Sequence, residues 1–125
     1  AVLPVDGLAG IGEILDLARR AIGDCDVAGV MLDTAAKTRG SLPELLAPAE
    51  LARFVAAVRA AGRFAGLAGS LRREHIAPLA ATGADLLGFR GALCAGDRTA
   101  ALDPAAFRLV RERLLAARSA SLVPA

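Results

Sequence analysis

Short apolar runs alternate along this chain with longer segments in which apolar residues recur at helical spacing. The apolar runs cover residues 1–5, 27–32, 64–68 and 86–89. They are continuous rather than alternating, which is typical of parallel strands that are covered on both faces. Each run is followed by a segment long enough for a helix, so the pattern predicts the order β-α-β-α-β-α-β-α.

The helical segments carry apolar stripes that would face a sheet. Three stripes are clear: Ile11, Ile14, Leu15, Ala18 and Ile22; Leu51, Phe54, Val55 and Val58; and Phe107, Val110 and Leu114. Asp103 is the predicted N-cap of the last helix, with Pro104 at its first position. The third helix, over residues 72–81, contains Pro78, which we expect to remove one backbone hydrogen bond.

Alternating strands and helices imply right-handed crossovers and a parallel sheet. An open doubly wound sheet and part of a (βα)8 barrel both fit this order. A full barrel takes roughly 250 residues, whereas this chain has 125 and begins inside the first apolar run without Met. We therefore expect a fragment that spans half a barrel, whose unpaired strand edges would pair with another chain or aggregate.

Composition and charge exclude several classes of protein. Hydrophobic residues make up 55% of the chain, which excludes intrinsic disorder. Charges interrupt every window of about 18 residues, so no membrane span is expected, and because no basic segment precedes an apolar one, no signal peptide is expected either. A net charge of +2 and four Phe as the only aromatic residues argue against nucleic-acid binding. Two cysteines, too few for a disulfide framework, fit a cytoplasmic protein.

The only lysine of the chain, Lys37, follows the second predicted strand, and Asp33 ends that strand. In parallel α/β folds, ligands bind at the carboxyl ends of the strands. A lysine that is desolvated there has a lowered pKa and can add to a carbonyl or move protons. The structural alternative is a salt bridge between Asp33 and Lys37 that ties the loop to the strand.

Two further loops at the same edge have the composition of a phosphate site. If the strands are the last four of eight, Gly69-Ser70 follows strand seven and Arg90-Gly91 follows strand eight. Loops at these positions often bind phosphate through backbone N–H groups and a helix N-terminus. The structural alternative is that Ser70 caps its helix and that the glycines only form turns. Asp6, after the first strand, is a further candidate site residue.

The remaining polar residues favour structural roles. His75 is expected to be a structural or surface residue, away from the candidate edge, and Cys94 to have a packing role. Asp24, Asp26 and Asp85 precede strands at the opposite edge, where a stabilising role is expected. No cluster has metal-ligand spacing and no nucleotide-binding motif is present, so neither a metal nor a cofactor is predicted.

Three loop segments, in this order, resemble a known family. They are Val30-Met31-Leu32-Asp33-Thr34-Ala35 with Lys37, then Leu67-Ala68-Gly69-Ser70-Leu71, then Gly88-Phe89-Arg90-Gly91-Ala92 with Cys94 and Gly96-Asp97-Arg98. Residues 25–27 and 74–76 provide smaller matches. The chain resembles the C-terminal half of the (5-formylfuran-3-yl)methyl phosphate synthase family, also called 4-(hydroxymethyl)-2-furancarboxaldehyde-phosphate synthase.

The resemblance implies a lyase with chemistry similar to that of class I aldolases. Such enzymes condense two molecules of glyceraldehyde 3-phosphate, with loss of phosphate and water, to the furan precursor of methanofuran. This chemistry uses a lysine Schiff base and no metal. Among the organisms in which the family occurs, the Arg-rich composition of this chain favours a methylotrophic bacterium and its one-carbon metabolism. Another phosphate-binding TIM-barrel aldolase or isomerase, and a non-catalytic half-barrel subunit, are the alternatives.

The resemblance also assigns residues. Asp33 and Lys37 match the family's active-site Asp and Lys after the sixth strand, and Gly69-Ser70 and Arg90-Gly91 match the loops expected to hold phosphate. The family's principal imine-forming lysine and a second proton-transferring lysine belong to the N-terminal half of the barrel. That half would come from elsewhere in the protein or from a homo-oligomer. Thr38-Arg39 replaces the Asp-Gly of many members, which puts the contacts of that acidic residue in doubt.

Overall fold

A four-stranded parallel sheet forms the centre of the fold in the computed structural model, which describes residues 1–35, 40–89, 91–94 and 101–122. The strands are β1 (Val2–Pro4), β2 (Gly29–Asp33), β3 (Phe64–Leu67) and β4 (Leu86–Leu87). They lie side by side in chain order, and every neighbouring pair is parallel. All four strands therefore end at the same edge of the sheet.

Helices connect the strands. They are α1 (Ile11–Asp24), α2 (Leu42–Leu45), α3 (Pro48–Ala60), α4 (Ile76–Ala80) and α5 (Pro104–Leu122), with 3-10 turns at Val5–Gly7, Arg73–His75 and Gly91–Leu93. The predicted third helix is therefore a 3-10 turn followed by a short α-helix. Helix α2 is absent from the predicted pattern because four residues are too few to show a helical period.

The starts of α4 and α5 follow from their sequences. Asp103 Oδ1 accepts a hydrogen bond from the Ala105 N–H at 3.1 Å, and α5 begins at Pro104, so the predicted N-cap is confirmed. Pro78 is the third residue of α4. It lies in the first turn of α4, where a residue without an N–H is tolerated.

The core lies between the sheet and the helices on one of its faces. Leu3, Leu32, Leu67 and Leu87 form a row across the four strands, with each residue opposite the next. Leu32 and Leu67 are fully buried, and α1 and α3 pack over this face through their apolar stripes. The stripe of α3 predicted from the sequence, Leu51, Phe54, Val55 and Val58, is buried throughout.

The opposite face of the sheet, here called the inner face, consists of Val2, Met31, Phe64 and Leu86. Val2, Met31, Gly66 and Leu86 are in register across the sheet, and Phe64 lies opposite Gly29. Val2 is 61% exposed, Leu86 46% and Phe64 40%. The expectation that both faces are covered is therefore met only on the helix side, within the described residues. In a (βα)8 barrel this second face points into the barrel, where other strands cover it.

No helix in the described part of the chain combines the length and the apolar character that a membrane crossing requires.

Candidate active site at the carboxyl end of the sheet

Four loops leave the sheet at its carboxyl edge. The turn after β1 carries Asp6, and the chain after β2 is described as far as Ala35 and again from Gly40. The loop after β3 contains Gly69 and Ser70. Because β3 and β4 are parallel neighbours, and the Gly88 N–H donates to the Leu67 carbonyl at 2.8 Å, the loop after β4 begins beside the loop after β3.

Asp33 is the last residue of β2 and is half-buried. Alternation along the strand places it on the inner face, one layer beyond Met31, and it lies opposite Pro4 of β1. Its Oδ1 accepts a hydrogen bond from the Thr34 N–H at 2.7 Å. This bond fixes the orientation of the carboxylate, which lies where the inner face meets the carboxyl edge.

Asp6 connects the first two loops. Its Oδ1 accepts a hydrogen bond from the Ala35 N–H at 3.0 Å, across 29 positions of sequence. The carboxylates of Asp6 and Asp33 therefore bind successive backbone amides of the same segment, those of Ala35 and Thr34. Asp6 and Asp33, both predicted at strand ends, therefore lie together at the start of the β2 loop.

Gly69 packs against the same segment from the other side. A Cβ at this position would lie 2.8 Å from Cγ2 of Thr34, and the backbone has a φ of +123°, which L side chains rarely adopt. The Gly69 carbonyl accepts a hydrogen bond from the Leu42 N–H at 3.0 Å. Glycine is therefore required here by both conformation and space, and the β3 loop is bound directly to the β2 loop.

Ser70 does not cap a helix. The next 3-10 turn has Arg72 as its N-cap, so the structural alternative in which Ser70 caps its helix is wrong. Ser70 is exposed and adopts a φ of +51°, the one positive value for a non-glycine residue in the described chain. A non-glycine residue in this conformation stores about 1–2 kcal/mol of strain, and such residues are concentrated at functional sites.

The other predicted site residues fall partly outside the described residues. Lys37 and Arg90 both lie outside them. Gly91 begins the 3-10 turn that follows the β4 loop, and Cys94 ends this segment in an isolated bridge to Leu102. No group of three or more His, Cys, Asp or Glu in the described ranges could hold a metal ion.

A polar network beside this edge was not predicted from the sequence. The Ser41 hydroxyl donates to Glu44 Oε1 at 2.8 Å, and Arg72 Nη2 lies 3.6 Å from the same oxygen. The Arg72 N–H donates to His75 Nδ1 at 2.9 Å, and Arg72 Nε donates to Glu74 Oε1 at 2.8 Å. The Ser41-x-x-Glu44 spacing is a capping-box signal that could have indicated the first of these contacts.

The environment of this network shifts three pKa values. Hydrogen bonds from Ser41, with a smaller contribution from Arg72, hold the pKa of Glu44 below its usual value. The pKa of Glu74 is lowered as well, chiefly by a backbone hydrogen bond. Burial lowers the pKa of His75, and the neighbouring Arg72 lowers it further. The neutral ring carries its proton on Nε2, because Nδ1 accepts the Arg72 N–H.

His75 is 9% exposed. Its burial agrees with the structural role predicted for it. Its predicted position away from the candidate edge is wrong, because its hydrogen-bond partner Arg72 contacts Glu44, three residues after Ser41 in the chain that follows β2. The 3-10 turn that replaces the start of the predicted helix follows the β3 loop directly, with Arg72 as its N-cap.

Comparison with known proteins identifies similar sequences. The 4-HFC-P synthase family matches residues 9–111 of this chain. A relative from Methylorubrum extorquens is 50% identical over 78 residues, which are 62% of this chain and 33% of the relative. The (5-formylfuran-3-yl)methyl phosphate synthase of Methanothermobacter thermautotrophicus is 42% identical over 77 residues, which are 62% of this chain and 33% of that protein. In these matches the chain spans about a third of the relative's length.

Among solved structures, the chain is similar to the phosphoribosyl anthranilate isomerase of Thermus thermophilus, a TIM barrel. The TM-score is 0.55 at 18% identity, and the match covers 96% of this chain and 49% of that one. At this identity the similarity concerns the fold alone. The predicted fold class, a parallel (βα)4 segment that forms half of a TIM barrel, is confirmed.

Proposed function

The chain belongs to the 4-HFC-P synthase family, as its loop motifs predict, and we propose that it supplies the C-terminal half of the active site of a (5-formylfuran-3-yl)methyl phosphate synthase. The proposed enzyme is a lyase that condenses two glyceraldehyde 3-phosphate molecules, with loss of phosphate and water, in methanofuran biosynthesis. The observation that carries this proposal is the position of Asp33, a carboxylate oriented by the Thr34 amide at the carboxyl end of an inner-face strand.

Lys37 and Asp33 have separate roles in the proposed reaction. The ammonium of Lys37 neutralises negative charge that develops on the substrate, or transfers a proton to it, and Asp33 polarises and orients that amine. A carboxylate near an amine favours its charged form, whereas removal from water favours the neutral form, so the pair can hold a proton ready for transfer. The lysine that forms the Schiff base would belong to the other half of the barrel.

The substrate phosphate is proposed to bind at Gly69, Ser70, Arg90 and Gly91. The β3 and β4 loops begin side by side, which supports a shared binding site. Gly69 and Ser70 both have positive φ values, +123° and +51°, which fix the backbone conformation of the β3 loop. Glycines permit close approach of backbone N–H groups to an anion. A short carbonyl compound with a phosphate group is the substrate class that this arrangement favours.

We propose that a second (βα)4 segment of the same protein covers the inner face. Its partner surface is apolar, and both edge strands, β1 and β4, can extend a parallel ladder. Leu86 and Leu115 allow a matched test, because they are the same residue type and are 46% and 49% exposed, but Leu115 lies on α5 outside the sheet. A second copy of the chain, or no partner, is the competing arrangement.

The partner proposal is tested with Leu86→Arg and Leu115→Arg in the full-length protein. A buried unpaired charge costs about 3 kcal/mol or more, whereas a surface substitution costs within about 0.5 kcal/mol. We expect a large fall in melting temperature for Leu86→Arg only, with a monomeric mass in sedimentation. Equal effects of the two variants would exclude a covered inner face, and a dimeric mass would assign the cover to a second copy.

The catalytic proposal is tested by turnover of glyceraldehyde 3-phosphate to a furan-absorbing product. We expect Lys37→Ala in the intact enzyme to lower kcat by about 10²–10⁴-fold while the protein stays folded. Arg19→Ala, which removes an exposed cation on α1, is the control. Near-normal turnover by Lys37→Ala would contradict the role of Lys37, and turnover of another sugar phosphate instead would favour a different aldolase or isomerase. Absence of any turnover would favour a non-catalytic subunit.

Borohydride reduction in the presence of substrate locates the Schiff base. If a lysine of the other half forms the imine, the trapped adduct lies outside residues 1–125. An adduct on Lys37 would reverse that assignment.

We also propose that the protein acts in the cytoplasm, which its free cysteines, Cys25 and Cys94, support.

A further inference from the structure

We propose that Asp6, Glu44 and Arg72 form a clamp that holds both ends of the loop after β2, and that they act as positioning residues for the chemistry of that loop. The inference rests on the proposed function, in which this loop carries Lys37. The three residues come from the turn after β1, from α2 and from the chain after β3. We refer to them as the clamp residues.

The first end of the loop is held by Asp6. Its Oδ1 accepts the Ala35 N–H at 3.0 Å, and Asp33 Oδ1 accepts the preceding amide, that of Thr34, at 2.7 Å. Carboxylate oxygens bind amides more strongly than neutral acceptors do, since the acceptor carries charge. Two successive backbone N–H groups are therefore fixed where the chain leaves β2, one by its own strand and one by the neighbouring loop.

The second end is held by Glu44. Both the Ser41 hydroxyl, at 2.8 Å, and the Ser41 N–H, at 3.4 Å, donate to Glu44 Oε1. A Cβ at Gly40 would lie 2.8 Å from the other carboxylate oxygen, Oε2. The side chain of Glu44 thus closes over residues 40 and 41, where the described chain resumes. Ser41 is buried, so this end is fixed against the body of the protein.

Arg72 connects the second end to the loop after β3. Its Nη2 lies 3.6 Å from Glu44 Oε1, and its own backbone N–H is fixed by His75. A second link is purely backbone, since the Leu42 N–H donates to the Gly69 carbonyl at 3.0 Å. Gly69 in turn packs on Thr34, at the first end. The two ends of the β2 loop are therefore connected to each other through the β3 loop.

The arrangement explains why charged side chains are placed here, although no group among the described residues has the composition of a metal ligand set. Each clamp residue binds backbone or another clamp residue, and together they connect three of the four loops at the carboxyl edge. Catalytic groups must be held close to their productive geometry, because small displacements reduce the rate strongly. The clamp residues supply that support to the loop after β2.

Amide hydrogen exchange tests the contacts of the clamp directly. We expect Asp6→Ala to accelerate exchange of the Ala35 amide by about tenfold, because a charge-assisted hydrogen bond is lost. Asp6→Asn keeps an oxygen acceptor and is expected to restore most of the protection. Asp16→Asn is the matched control, since Asp16 is an exposed carboxylate paired with Arg19 on α1. Unchanged exchange at Ala35 in Asp6→Ala would overturn the first contact.

Kinetics of the intact enzyme test the positioning role. We expect Asp6→Ala and Arg72→Ala to lower kcat by about fivefold or more, with KM changed less than twofold, while Asp6→Asn and Asp16→Asn stay close to the parent. A structural role alone would lower the melting temperature of both variants and leave kcat of the folded fraction unchanged. That result would overturn the proposal.

Labelling of Lys37 separates failure of the clamp from failure of the proposed function. Within the printed sequence Lys37 is the only lysine, and the tryptic peptide 21–39 contains no other side-chain amine. We expect Asp6→Ala and Glu44→Ala to raise the acylation rate of this peptide by about twofold or more, whether or not the protein turns over glyceraldehyde 3-phosphate. Parental labelling rates in both variants would overturn the clamp, whatever the turnover.

Discussion

The two ends of the sheet use the same side chain, aspartate, in different ways. At the amino end, Asp85 Oδ2 accepts the Ala65 N–H at 2.9 Å, and its Oδ1 lies 3.6 Å from Arg59 Nε. Arg59 also donates to the Gly83 carbonyl at 3.1 Å. At the carboxyl end, Asp33 binds the adjacent Thr34 amide, and it has no ion-pair partner in the described parts of the chain.

The comparison distinguishes a structural end from the end where we propose the function. Asp85 connects β3, β4 and α3, which agrees with the stabilising role expected for an acidic residue before a strand. Among the described residues, the Asp33 carboxylate accepts one hydrogen bond, from the adjacent Thr34 amide. Its remaining acceptor positions are available to a ligand or to residues outside those ranges. The carboxyl end also holds Ser70, with its strained φ of +51°. Active-site ends of (βα)8 barrels show this division between chemistry and stability.

Replacing aspartate by asparagine at each end of the sheet is expected to give the largest difference in activity between the two ends. Asp33→Asn should lower kcat of the intact enzyme by about 10²-fold or more, because the charge that we propose to orient Lys37 is lost, with little change in melting temperature. Asp85→Asn should leave kcat unchanged and lower stability by less than about 1 kcal/mol, since its ion pair is partly exposed. Steady-state kinetics and thermal melts measure both. Equal kinetic effects would remove the distinction between the ends.

A glycine pair sharpens the comparison. Gly69 at the carboxyl end and Gly83 at the amino end both have positive φ, +123° and +84°. A Cβ at Gly69 would meet Thr34 at 2.8 Å, whereas at Gly83 the nearest atom lies at an ordinary 3.4 Å. Gly69→Ala should therefore cost about 2–4 kcal/mol of unfolding free energy and Gly83→Ala about 1 kcal/mol. Chemical denaturation of the two variants measures the unfolding free energies. Equal losses would show that the contact between Gly69→Ala and Thr34 is relieved without loss of stability.

The smallest expected effect is the pH dependence that His75 contributes at the carboxyl end. Burial lowers its pKa in the folded protein below the ordinary value of 6.5, so the unfolded chain binds more protons just below that pH. Its stabilising contribution is therefore complete above about pH 6.5 and is lost as pH falls below it. Thermal melts between pH 5 and 7 should show a shallower decline for His75→Asn. An identical decline would assign the dependence to other groups.

The fold could be predicted from the sequence because strands and helices differ in the period of their apolar residues. The alternation itself predicts parallel order, and parallel order places Asp6 and Asp33 at one edge of the sheet. The predicted second strand, 27–32, differs from the observed Gly29–Asp33. The shift matters because Asp33, which directly follows the predicted run, is part of the ladder, opposite Pro4.

The supporting contacts of the candidate site could not be predicted in the same way. Glu44 and Arg72 are 28 positions apart and meet only because β2 and β3 are neighbours. Sequence periodicity carries no information on such a pair. The bond from Asp6 to the Ala35 amide has the same origin. Local signals, such as the Asp103 cap, were predictable because donor and acceptor lie within one helical turn.

Met31 and Gly66 lie opposite each other on the inner face, and the Met31 side chain fills the space that a side chain at position 66 would need. A Cβ at position 66 would lie 2.8 Å from the terminal methyl carbon of Met31. A larger residue at 66 therefore requires a shorter or differently turned side chain at 31. In an alignment of relatives, these two columns should vary together, with summed side-chain volume better conserved than either residue.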